Sequence, residues 1–189
     1  MTVEEVFSEI ANHMIEGLMI HSQLADYYGF LGMDGYQACH NYHFFDESVN
    51  YRKILNYYEH HYDKLVVEKR AKDPDVIPES WFNYKRMDVD SETKKNAVKA
   101  GFEKWIAWEQ DTKTLYEVLF KELMDINEVA AAMELKKYIC GVTEELAFAK
   151  QKMIEISAGG YDISDIMNWQ ENRKKKYDKK LKEMEIKLC

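Results

Sequence analysis

Proline is almost missing from this chain of 189 residues: Pro74 and Pro78 are the only two, and they share one short segment. Everywhere else the backbone is free to run as long helices. Glycine is also scarce, at eight residues, and none of it forms a Gly-rich phosphate loop or a nucleophile elbow. The three cysteines, Cys39, Cys140 and Cys189, are odd in number, far apart and free of any Cys-x-x-Cys. That excludes a disulfide framework and a thiolate zinc knot, and makes a reducing cytoplasm the expected compartment. Cationic surplus is lacking too. A formal net charge of -8 argues against binding duplex nucleic acid, which needs positive surface to displace counterions. It argues equally against an anionic membrane surface. Charges interrupt every apolar run before membrane-spanning length, and the start Met1-Thr2-Val3-Glu4-Glu5 has no basic leader region.

What the chain does have is 46% hydrophobic and 32% charged residues, the balance of a globular protein with one buried core and a solvated surface. A single domain over residues 1–189 is expected. Thr2 and Glu5 form a capping-box pattern at the start of a helix. Val3, Phe7, Ile10, Met14, Gly17, His21, Leu24, Tyr28 and Leu31 then recur at steps of three and four, as one buried stripe requires. Gly32-Met33-Asp34-Gly35 predicts a turn, with Asp34 as the next N-cap. The second helix is expected from Tyr36 to Val67. Its stripe is Tyr36, His40, His43, Glu47, Tyr51 or Asn50, Ile54, Tyr58 and His61, and its first half is polar where a core expects leucine.

Residues 68–90 hold both prolines and several aromatics, Trp81 among them, and predict a long connection that crosses the length of a bundle. Helices are expected at Ser91–Met124, with Glu109 on the inward stripe, at Glu128–Ser157, and at 163–187 near the C-terminus. Short turns join the first pair and the second pair, and one long crossover joins the pairs. That connectivity predicts an all-α, antiparallel four-helix bundle over residues 2–157 with an added C-terminal helix.

With that order, the chain resembles the ferritin-like superfamily. The third-helix segment Trp108-Glu109-Gln110-Asp111-Thr112 is similar to the stretch in which a ferritin glutamate faces the di-iron centre. The resemblance implies Glu109 as a metal carboxylate, and Glu16 and Glu145 (or Glu144) as its counterparts on the first and fourth helices. It also leads one to expect Glu-x-x-His on the second helix, where the matching stretch reads Asn50-Tyr51-Arg52-Lys53-Ile54. On the fourth helix Glu145 is followed three residues later by Phe148.

His40, His43 and Glu47 are spaced to share one helical face. Centring the first turn on Met33-Asp34 brings His21 level with Glu47. His21, His43 and Glu47 therefore form a candidate two-helix metal site, with Glu16, Glu109 and Glu145 as further candidate ligands. Iron, manganese or zinc are the candidate ions. A buried His/Glu network that only satisfies itself by hydrogen bonding, or one that takes an organic ligand, fits the same pattern.

The expected function is a bundle protein that binds a metal ion or small ligand at a remodelled interior polar site rather than storing iron. The alternative is a non-enzymatic interaction or structural protein. Association of copies through a helix face suits either. The run Arg173-Lys174-Lys175-Lys176-Tyr177 is expected to be a solvated helix end.

Overall fold

The computed structural model describes residues 1–66 and 89–188, with side chains as far as 183. It contains α1 (Val3–Phe30), α2 (Asp34–Tyr62), α3 (Ser91–Asp125), α4 (Val129–Ala158) and α5 (Ile163–Leu188), and no strand among the described residues. Residues 68–88 of the expected crossover, with Pro74, Pro78 and Trp81, lie outside the described residues, as does Cys189.

Each helix start can be traced to its sequence. The Thr2 hydroxyl accepts from the Glu5 N–H at 3.2 Å and the Glu5 carboxylate accepts from the Thr2 N–H at 2.8 Å, a complete capping box. Asp90 caps α3 by accepting from the Thr93 N–H at 2.7 Å. The first turn is tighter than expected. The chain reverses over Leu31 to Met33, with Gly32 at φ +68°. Met33 is the N-cap residue, and it is fully buried and makes no side-chain cap bond. Asp34 and Gly35 already belong to α2, so Asp34 is not the cap. At its other end α2 stops at Asp63 in the left-handed region, short of Val67.

Contacts along the bundle fix its directions. Met1 bonds Glu122 and Tyr28 donates to the Ala97 carbonyl, so α1 and α3 are antiparallel. Tyr62 donates to Glu128 and His43 meets Glu145, so α2 and α4 are antiparallel as well. Tyr36 lies against Phe102 and His43 against Trp105, which makes α2 and α3 parallel. Consecutive helices that run parallel, rather than antiparallel, are the arrangement expected from one long crossover between the two helix pairs.

The core is divided. One apolar cluster is built around Leu24, Tyr28, Met33, Tyr36, Phe102 and Trp105, and a second around Phe7, Ile10, Ile54, Leu119, Leu123 and Leu135. Between them along the helices fall His43 and Glu47 on α2, Glu109 and Thr112 on α3, and Glu145 on α4, while His21 on α1 lies just inside the edge of the first cluster. A polar layer separates two oily halves.

Helix α5 runs parallel to α2 and covers one of its sides. Trp169 stacks on Tyr36 at 4.4 Å, Tyr177 lies 5.5 Å from Tyr42, and Lys174 pairs with Asp34 at 3.2 Å. The approach is close because residue 35 is glycine: a Cβ there would sit 2.2 Å from the backbone carbonyl oxygen of Gln170. Among the described residues, no helix is long and apolar enough to cross a membrane.

Candidate functional site

Three histidines occupy the upper part of the polar layer. His21 Nδ1 and His40 Nδ1 are 3.0 Å apart, and the His21 and His43 rings stack at 5.2 Å. The tight first turn shifts the pairing of α1 and α2 by about one helical turn from the expected register. His21 consequently meets His40 and His43 rather than Glu47. Burial, followed by the neighbouring imidazoles, holds His21 well below the usual histidine range, and burial then His43 push His40 down to about 3. Both are neutral at physiological pH.

His43 behaves differently. Burial opposes its charge, but hydrogen bonds to Cys39 and Glu145 and the Glu145 carboxylate outweigh it, so its pKa is raised well above the usual value. Its Nδ1 stands 3.4 Å from Glu145 Oε2, a pair in which the ring is buried and the carboxylate is part-exposed. The Nε2 atoms of His43 and of His21 are buried with no hydrogen-bond partner. Trp105 packs against the His43 ring at 4.8 Å.

Beneath the histidines, three helices each contribute a glutamate. Glu109 on α3 is 1% exposed and accepts a hydrogen bond from the Trp105 indole N–H at 2.9 Å. Burial and then the charges of Glu145 and Glu47 raise its pKa well above the carboxylate range. Glu47 on α2 is pushed up to about 8 by burial, then by Glu145 and Asp46, with His43 partly offsetting them. Glu145 on α4 is the charge common to both and to His43. Asp46 is raised as well, by burial and by Glu145. Three carboxylates in one interior cannot all ionise cheaply, and two of them keep protons that exposed glutamates would lose.

A cleft between α2 and α4 reaches this cluster. Its volume is about 370 Å³, and Glu47, Asn50 and Lys53 line one side with Lys137, Gly141 and Glu145 on the other. Met14 and Tyr116 close its floor from α1 and α3.

The structure thus brings together Glu47, Glu109, Glu145 and His43, with His21 one step beyond. Glu16 is not among the side chains lining the cleft: it lies half-buried on α1, and the α1 residue at the cleft is Met14. The α2 stretch that faces the cluster is Glu47-Ser48-Val49-Asn50, about one turn before the stretch matched from the resemblance. That turn supplies a glutamate, with Asn50 three residues later. Glu144 is exposed. Among the described residues, no three His, Cys, Asp or Glu side chains converge closely enough to hold a metal ion as they stand.

His40 shares the stripe of His43 and was visible there. Other participants were missed: Trp105 stood on the α3 stripe as an apolar position, and nothing in the sequence marked Cys39. Tyr177 sits in a lysine-rich run that reads as solvent-facing, yet it is 3% exposed and hydrogen-bonds Cys39. His13, which reads as part of a surface strip with Glu9 and Glu16, instead stacks on Trp108 at 4.1 Å and bonds the Thr112 hydroxyl at 2.7 Å. Since that hydroxyl donates to the Trp108 carbonyl, His13 Nε2 is the donor, and burial lowers its pKa to about 4.

No protein-family model and no curated protein sequence matches the chain. Solved structures do. The chain superposes on a humanized archaeal ferritin with a TM-score of 0.76 at 17% identity, over 90% of this chain and 94% of that one. An open pore ferritin from the hyperthermophilic archaeon Archaeoglobus fulgidus gives 0.70 at 16% identity, over 90% and 94%. A form of the Archaeoglobus fulgidus ferritin engineered to be closed gives 0.71 at 15% identity, over 92% and 96%. Nearly the whole of each chain is covered, so the fold is ferritin-like.

Proposed function

We propose that this ferritin-like bundle protein binds a divalent cation in its interior carboxylate layer, with Glu47, Glu109, Glu145 and His43 as the groups that hold it. The observation that carries this reading is the gathering of Glu47, Glu109 and Glu145 from three helices in one interior. Burial and then Glu145 and Asp46 raise Glu47 to about 8, and burial and then Glu145 and Glu47 raise Glu109. A carboxylate cluster that destabilises its own ionised form is one that a cation stabilises, by replacing the protons. The donor set of hard oxygens and one imidazole suits iron, manganese or zinc. His43 joins the set through Nδ1, which already faces the Glu145 carboxylate at 3.4 Å. Such an ion would supply a strong local positive charge, and the glutamates would have to turn toward it. Glu16 stays a candidate outer contributor from α1, and His21, stacked on His43, a neighbour that sets the ring's position.

The cation is bound singly and exchangeably in this reading, not stored. The free thiols of Cys39 and Cys140 favour a cytoplasmic setting. The test is elemental analysis of the untagged protein, beside a His43→Ala, Glu47→Ala double variant. Near-stoichiometric iron, manganese or zinc that disappears in the variant supports the reading; no metal after incubation with excess ions rejects it.

A second reading, a non-enzymatic protein that associates with its own copies, is favoured by exposed apolar side chains where α3 turns into α4. Ile126, Val129 and Met133 are 40%, 51% and 50% exposed there. Light scattering on Met133→Glu tests it: an oligomer that dissociates supports self-association through this corner.

A further inference from the structure

We propose that the seam where α5 passes α4 binds a linear inorganic oligophosphate along Arg173, Lys176 and Lys180, with Lys152 of α4 on its other side. The seam lies on the outside of the bundle and shares no residue with the carboxylate layer.

Unpaired charge is the first argument. Residues 173–182 hold seven cations and one acid, Asp178, in a chain whose net charge is -8. Acids are not in short supply, and the lysines around the seam find them. Lys174 pairs with Asp34 at 3.2 Å, Lys179 with Glu183 at 3.9 Å, and Lys152 with Glu155. Arg173, Lys176 and Lys180 make no ion pair and no hydrogen bond among the described residues. Their spacing of three and four puts them on one flank of α5, where like charges repel. Burial, then Arg173 and Lys180, and after them Lys152, lower the pKa of Lys176. Two acids reach the ends of this row: Glu155 feels Arg173, and Asp46 feels Lys180. Neither acts on Lys176 at its centre.

Posture is the second. The Arg173 guanidinium lies 5.1 Å from the Phe148 ring centre and 5.4 Å from that of Trp169. Lys180 Nζ stands 4.2 Å from the Tyr42 ring, and Lys176 Nζ 5.9 Å from that of Tyr177. A cation held over a ring keeps its charge and loses part of its freedom before any ligand arrives. Lys176 is exposed and the other two are part-exposed, so an anion can reach all three.

The layout selects the anion. Arg173 and Lys180 are separated by about 10 Å of helix, too far for one carboxylate or one phosphate to meet both. A chain of linked phosphates carries charge at every unit, and a guanidinium takes two of its oxygens at once. Single-stranded nucleic acid would also need open ring faces for its bases. Tyr177 is 3% exposed, and Trp169 is stacked on Tyr36 and covered by Arg173.

The experiment is isothermal titration calorimetry of the full chain with sodium tripolyphosphate in metal-free buffer, with ATP as the comparison. Tripolyphosphate should bind at one site, and ATP no more tightly. An Arg173→Gln, Lys176→Gln variant should weaken tripolyphosphate binding by about ten-fold or more, the effect of losing hydrogen bonds to a charged group. A charge-matched Lys175→Gln, Lys182→Gln variant, changed at exposed positions off the row, should weaken it by at most about three-fold, the screened effect of net charge. Lys176→Gln alone should show part of the loss, and it keeps the test decisive if removing Arg173 loosens α5. The proposal is overturned if tripolyphosphate does not bind, if the two double variants lose binding equally, or if ATP binds where tripolyphosphate does not.

Discussion

The Nδ1 atoms of His21 and His40 lie 3.0 Å apart in the interior, so one ring must present an N–H and the other a lone pair. Protonating either ring destroys that arrangement. Its effect on stability has a definite sign. His13, His21 and His40 have folded-state pKa values below the unfolded 6.5, so acid favours the unfolded chain as pH falls through that value. Glu47 and Glu109 are raised, so their contribution is present below the unfolded value of 4.5 and is lost as pH rises toward about 8 for Glu47. His43, also raised, is lost in the same alkaline direction. The cation-free protein should therefore be most stable near about pH 6, each uncompensated group giving a slope of about 1.4 kcal/mol per pH unit. Urea titrations from pH 4.5 to 8.5 in the presence of a chelator check it, and a maximum at pH 8 or above would contradict it.

Replacing Glu47 with glutamine removes one of three mutually repelling carboxylates while keeping its shape. In cation-free buffer at pH 8 the variant should gain on the order of 1 kcal/mol over the wild type. Adding manganese or zinc should stabilise the wild type and not the variant. Thermal melts with and without metal measure both effects.

Glu145→Gln takes the negative partner from His43. The imidazole should then titrate at lower pH than in the wild type, with Cys39 still supporting part of the upward shift. An NMR titration of the His43 ring protons follows it directly; an unchanged value would mean that Glu145 does not set the ring's charge.

Gly35→Ala drives a methyl group into the Gln170 carbonyl, which is backbone and cannot rotate away. Helix α5 must shift, and a loss of about 1–3 kcal/mol is expected, the usual cost of overpacking. Hydrogen exchange should report the loss first in residues 163–183, ahead of α1 and α3.

Much of the architecture was legible because it depends on local rules. Long apolar stripes, the Thr2–Glu5 box and the placing of turns at Gly32 and Asn127 all follow from spacing and backbone preference. The candidate site was legible in its residue types but not in its register. Met33 could have pointed into the turn or into the core; it chose the core, and the resulting shift moved His21 from Glu47 to His40. Glu47 was visible as an inward polar residue, while its pairing with Glu109 and Glu145 depended on three helices meeting at one level. Tyr177 was hidden for a related reason. Its neighbours are lysines, and only the glycine at residue 35 lets α5 come close enough to bury it.

The separation of the apolar core into two clusters also has a bearing on motion. Hydrophobic contacts do not run unbroken from one end of this bundle to the other, since a belt of acids and imidazoles interrupts them midway. Each apolar cluster can hold together on its own packing while side chains in the belt rearrange, so a rearrangement confined to the belt leaves both clusters intact. The helices are in this respect two short bundles sharing long rods, and the joint between them lies at the level where a ligand would have to enter.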